Sequence, residues 1–230
     1  MAIKRIILLL TAVFLLYNLE AHLRFEVSFP LPEQSGIEIY NQFLSSLQSG
    51  VIQKRSTMLR SKYDLVNTEE ENIRFSREGG RLYLTYQHRY PAVFWSWPTP
   101  NYYDSDRYYY QLKGDWFYDR FGYFDDQVRL GYFSIPPEVL DGLSLTKDLV
   151  ELSGDGYRIT LVAENESGSV HNEIVMQASA DGIIHRIVIS QYGDKRDGGQ
   201  RPLLGRHTIH YSHVNQQVPI KKPKGLSTRI

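Results

Sequence analysis

From Val51 to about Val214 apolar residues recur at every second position, in runs broken by short turns rich in Gly, Asp and Ser. A period of two belongs to strands that bury one face, so the pattern predicts a chain built mainly of sheet. Ile73 and Phe75 alternate with Arg74 and Ser76; "EGGR" at 78–81 supplies a tight turn; Leu82, Leu84 and Tyr86 return. Paired glycines suit such a turn because they adopt positive φ without steric cost. The construction recurs at 107–112, with Lys113, Gly114 and Asp115 as turn and 116–121 returning. It recurs at 153–156 ahead of Tyr157, Ile159 and Leu161, and again across "SADG" between 173–178 and 183–189; a last strand follows at 206–214. Roughly nine to eleven antiparallel strands are expected, joined as consecutive hairpins.

Helical periodicity precedes this region. Ile37, Tyr40, Leu44 and Leu47 fall three and four apart with Phe43 alongside, after Ser35 as N-cap and ending near Gly50. That predicts an amphipathic helix whose apolar face needs cover, either as part of the core or as a lid. Pro136 and Pro137 ahead of "EVLDGL" suit the first turn of a short second helix. The fold class is thus mainly β (α+β), with one or two helices packed on the sheet.

The chain begins "MAIKRIILLLTAVFLLYNLEAHLR". Lys4 and Arg5 ahead of the apolar run 6–16 form the charged and apolar regions of a secretory signal. Two readings stand: a signal cleaved after Ala21, or a retained inner-membrane anchor over 3–19 with its basic end in the cytoplasm. Both place the remainder outside the cytoplasm, periplasmic or secreted. No cysteine follows the apolar run, which excludes a lipid-modified N-terminus, and none occurs anywhere, which excludes disulfides and thiolate chemistry. The expected organisation is signal or anchor at 1–21, tether at 22–36, a single β-rich domain at 37–220 and a basic tail at 221–230. Residues 193–205, charged and Gly-rich, are expected to form a long loop.

The segment 94–126 holds all three tryptophans. Alternation places Tyr108 and Tyr110 on one side of their strand, Tyr109 on the other, and Trp116 with Tyr118 opposite Phe117 and Phe121. The set Tyr108, Tyr110, Trp116 and Tyr118 is expected to oppose Tyr109, Phe117 and Phe121, giving two aromatic faces that both need cover. Tyr and Trp, apolar in body and polar at the tip, suit the wall of a partly wet pocket. Candidate ligand-binding residues are therefore Trp95, Trp97, Tyr108, Tyr110, Trp116 and Tyr118, with sugar stacking as the competing use of Trp95 and Trp97. The same rings also serve strand propensity and cross-strand pairing.

"RYYYQLKGDWFYDRF" and the exit from the last strand at 218–223 ("VPIKKP") carry a resemblance. With the signal, helix and meander order, the chain resembles the periplasmic lipoprotein-carrier superfamily of LolA-like and LppX-like half-barrels. The resemblance implies a strongly curved antiparallel sheet, a half-barrel meander, whose concave face under its helices holds acyl chains or a protein partner. It implies no catalytic residue.

Other constellations do not assemble into chemistry. His207 and His213 are expected to share a strand face about 20 Å apart while His210 points the other way, so no metal site is expected. Ser144 and Lys147 match Ser-x-x-Lys without its companion motifs. Asp104, Asp106, Asp125 and Asp126 lack calcium-loop spacing. Lys plus Arg equals Asp plus Glu at 26 each, and no basic run interleaves the aromatics, so nucleic acid is not an expected partner. No catalytic residue, metal or cofactor is expected. The leading functional expectation is a non-enzymatic extracytoplasmic protein holding a hydrophobic or amphipathic ligand such as a lipid. The alternative is a membrane-anchored interaction subunit with an envelope protein as partner.

Overall fold

The computed structural model describes residues 32–59, 66–89, 99–104, 107–112, 115–119, 133–136, 139–195 and 199–223. The helix α1 runs Gly36–Ser46, and the strands are β1 Ser49–Leu59, β2 Val66–Glu78, β3 Arg81–Arg89, β4 Thr99–Tyr103, β5 Tyr108–Leu112, β6 Asp115–Asp119, β7 Ser144–Ser153, β8 Gly156–Glu164, β9 His171–Ser179, β10 Ile184–Tyr192 and β11 Leu203–Ser212. The strands form one curved, unclosed antiparallel sheet in the order β6-β5-β4-β3-β2-β1-β11-β10-β9-β8-β7. Two hairpin meanders, β1–β6 and β7–β11, are thus joined through the β1–β11 ladder.

The turns fall where their residues require. Gly79 and Gly80 close β2–β3 with φ 56° and 78°. The last strand starts earlier than its alternation suggests, at Leu203, because Arg201 ties the preceding loop down. Its guanidinium donates to the carbonyls of Gly168 (2.6 Å) and Gly193 (3.3 Å) and to Glu164 (3.3 Å), which also meets His171 Nδ1 at 2.6 Å.

α1 opens on a capping box. The Glu38 amide donates to Ser35 Oγ (3.4 Å) and the Ser35 amide to Glu38 Oε2 (2.9 Å). Asp148 of β7 accepts from the amides of Gly36 (2.7 Å) and Ile37 (3.2 Å), so a carboxylate from the sheet meets the positive end of the helix. This anchor sets the helix phase. The buried residues are Ile39, Tyr40, Phe43 and Leu47, so the inward stripe is rotated away from Ile37 and Leu44.

Paired residues share a face, so the register defines two faces. On one, Ile52, Ile73, Ile159, Leu161, Ile174, Met176, Ile187, Ile189 and Ile209 are fully buried. α1 lies across this face, from Ile159 beside Gly36 to Tyr211, whose ring meets that of Phe43 edge-on at 4.9 Å. A second strap crosses it. The Phe133 ring sits 4.7 Å from that of Phe75, the Phe133 carbonyl accepts from Tyr211 Oη at 2.7 Å, and the Ile135 amide donates to Tyr40 Oη at 2.7 Å. Val139 is fully buried, and its carbonyl accepts from Asn172 Nδ2 at 2.8 Å. Over β8–β11, β1 and β2 the helix and strap thus rest on fully buried side chains, with a cleft of about 320 Å³ left at the helix edge beside Ile39, Phe43, Tyr157 and Ile183. α1 packs as a wall of the core.

On the opposite face the chain after β11 turns back over the start of β1. The Asn215 amide donates to the Ser49 carbonyl (2.8 Å), Ser49 Oγ to the Gln216 carbonyl (2.6 Å), and Lys222 Nζ lies 5.0 Å from the centre of the Tyr83 ring. Lys222 of the basic tail thus reaches back to the sheet.

Candidate functional site

Beyond β2 the helix-bearing face changes character. The row Ile52, Ile73, Tyr86, Asn101, Tyr110, Phe117 runs across β1–β6, and beside it the row Gly50, Phe75, Leu84, Tyr103, Tyr108. Aliphatic side chains give way to rings, and complete burial gives way to partial exposure: Ile52 and Ile73 at 0%, Tyr103 at 3%, Tyr110 at 37%. Tyr110 stacks on Tyr108 (6.2 Å between centroids, 26° between planes) and on Phe117 (5.7 Å, 27°). Tyr86 Oη donates to Glu71 Oε1 at 2.9 Å at the margin, which keeps one hydroxyl anchored beside the rings. The result is an apolar shelf edged by polar atoms and continuous with the core.

Of the sequence candidates, Tyr108 and Tyr110 stand on this shelf. Trp116 does not, because the register pairs it with Gln111, on the helix-free face; in the same ladder the backbone of Tyr118 pairs with Tyr109. The expected grouping assumed a turn of three residues, Lys113 to Asp115. The ladder instead runs to Leu112 opposite Asp115, and a one-residue slip exchanges the faces of a whole strand. Phe117 takes the place expected of Trp116. Trp95, Trp97 and Phe121 lie outside the described residues. Asn101 and Tyr103 were missed, since β4 is too short for alternation to register; Tyr86 was read as part of an apolar strand face, and only the β3–β4 register sets it beside them.

On the helix-free face Tyr102 and Tyr109 are buried against each other, 5.5 Å between centroids. Burial, with Asp104 adding to it, pushes the Tyr102 hydroxyl up to about 12. Tyr109 Oη donates to Asp104 Oδ2 at 3.2 Å, and the Arg107 amide donates to Asp104 Oδ1 at 3.1 Å. Asp104 is thereby a loop-closing acceptor.

Further along this face lies a polar groove of about 640 Å³ over β3, β2, β1, β11 and β10, its walls including Arg55, Glu70, Gln87, Arg89, Arg186 and His210. Each residue read alone is an ordinary outward strand position; only the register brings them together. His210 pairs with Arg186 on one side and Gln53 on the other, with Arg55 diagonal to it. Burial and the Arg186 charge hold His210 below the usual histidine value. The folded state therefore resists protonating it, and the contribution is present above the unfolded value and lost as pH falls through the window beneath it. Urea midpoints should decline as pH falls below the ordinary histidine value of about 6.5, and His210→Gln should flatten that part of the profile.

The other histidines are otherwise engaged. His207 meets Ser56 Oγ through Nδ1 (2.8 Å) and Gln191 Oε1 through Nε2 (3.1 Å). His213 follows the end of β11 with φ 53°, so it shares no strand face with His207. Among the described residues no group of three or more His, Cys, Asp or Glu is placed to hold a metal. Among them, too, no helix is long and apolar enough to cross a membrane; residues 3–19 lie outside the description.

No family model matches the chain, and no curated protein matches it. Among solved structures it is similar to LprF from Mycobacterium bovis, at 12% identity and a TM-score of 0.42, with 83% of this chain and 99% of that chain covered.

Proposed function

We propose that the protein is an extracytoplasmic, non-enzymatic binding protein that holds a hydrophobic or amphipathic ligand, such as a lipid, on the helix-bearing face of its sheet. The observation that carries this reading is the aromatic shelf. The core's own apolar rows continue past the helix and strap into stacked rings of which Tyr110 remains 37% exposed. An acyl chain laid along Tyr108, Tyr110 and Phe117 exchanges water for apolar contact, at about 25 cal/mol per Å² removed from solvent. The tyrosine hydroxyls at the margin give a polar head its partners. The basic start and apolar run at 4–16 support delivery across a membrane.

Solvent extraction of natively purified protein followed by mass spectrometry should find a stoichiometric lipid. A fluorescent fatty-acid analogue should bind the delipidated protein, and Tyr110→Ala/Phe117→Ala should weaken it by about ten- to a hundredfold, the loss of two rings the ligand would cover, with the far-ultraviolet circular dichroism unchanged. Absence of extractable lipid together with no uptake of the analogue would refute the proposal.

A further inference from the structure

The helix-free face carries a second feature, separate from the shelf. Eleven residues line its groove, and Lys54 and Glu71 among them belong by register to the other face. There Lys54 Nζ donates to the Ser134 carbonyl at 3.3 Å and Glu71 accepts from Tyr86. The charged side chains left to the groove are Arg55, Arg89, Arg186 and Glu70. Arg55 and Glu70 meet only at 4.0 Å, with the Arg55 side chain 67% exposed. Arg89 and Arg186 have no ion-pair partner among the described residues. Between the guanidiniums stand Gln53, Asn72, Gln87 and Thr208, side chains that both donate and accept.

We propose that this groove binds an elongated acidic glycan, a sugar chain bearing carboxylate or phosphate groups. Guanidinium is suited to both anions through paired, parallel N–H donors, and the intervening amides and hydroxyl match the donor-and-acceptor character of sugar hydroxyls. Arg89 on β3 and Arg186 on β10 are four strand spacings apart, about 19 Å at roughly 4.8 Å per spacing, so one small anion does not reach both. An extended ligand with more than one acidic group does. His210, beside Arg186, reports on occupancy, because an anion there favours its protonated form.

The test is calorimetric titration of the full chain with trigalacturonate as the carboxylate probe, pentamannose 6-phosphate as the phosphate probe and maltotriose as the neutral control. At least one acidic probe should bind and maltotriose should not; the stronger probe identifies the anion. Arg89→Gln/Arg186→Gln should weaken binding about tenfold or more, as loss of charge-assisted hydrogen bonds does. Lys147→Gln/Arg158→Gln, the same charge change on exposed residues outside the groove, should alter it less than about twofold, the scale of a screened surface charge. The His210 titration, followed by NMR, should move upward with bound probe. No binding of either acidic probe at millimolar concentration would overturn the proposal, as would equal losses in the two double variants. Each outcome is independent of lipid extraction, which concerns the other face.

Discussion

Phe43→Ala should lower the stability of the folded chain by about 3–5 kcal/mol, the range for removing a buried phenylalanine. At about 2–4 °C per kcal/mol for a chain of this size, the thermal midpoint should fall by roughly 6–20 °C. Phe43 sits where three parts of the fold meet. Its ring abuts Tyr211 of the last strand, whose hydroxyl holds the strap through the Phe133 carbonyl. Truncation therefore leaves a cavity and loosens a buried hydrogen bond as well. Differential scanning calorimetry decides the matter. A helix that served merely as a lid would come away with little change in the midpoint, so a shift of less than about 3 °C would mean that α1 is not a wall of the core.

Gly36→Val should be comparably damaging by the opposite route. An added Cβ at Gly36 collides with Ile159 Cγ2, lies 2.7 Å from Asp148 Oδ1 and approaches Leu161 Cδ2 to 3.3 Å. Ile159 and Leu161 are fully buried, so neither has room to move aside. Overpacking costs about 1–3 kcal/mol, and retreat of the helix start adds the loss of the Asp148 hydrogen bonds, about 1.5–3 kcal/mol each. Gly36→Val and Phe43→Ala undock the same element, so the double variant should lose less than the sum of the two. Chemical denaturation of the three variants gives the coupling; strict additivity would show that the helix docks at its two ends independently.

The features that were legible in the sequence are local ones. The Gly79–Gly80 turn, the Ser35 cap and the inward set Tyr157, Ile159 and Leu161 each depend on a few adjacent residues, and each lies where its chemistry requires. What escaped was whatever depends on a distant partner or on one residue of register. The inward stripe of α1 is fixed by Asp148, 112 residues away from Gly36. The faces of β6 are decided by whether Asp115 belongs to the turn or to the ladder. The strap through Phe133 and Val139 shows no periodicity of its own and is ordered by Tyr40, Tyr211 and Asn172. The groove is the extreme case, assembled from five strands on which all but Lys54 and Glu71 of the lining residues read as ordinary outward side chains.

The pairing of the first strand with the last bears on how the chain reaches this state. Within each meander the strands meet their immediate predecessors, so either half can form as it emerges. The ladder between β1 and β11 joins residues from near the two ends of the described chain, such as Val51 and Ser212, and both meanders keep a raw inner edge until it closes. Long-range pairing of this kind is slow, and open edges in the interval invite strangers. A ribosome must release nearly the whole chain before the two halves can be zipped together, so the last step of folding is also the one most exposed to misassembly, and a polypeptide exported unfolded would meet that step on the far side of the membrane.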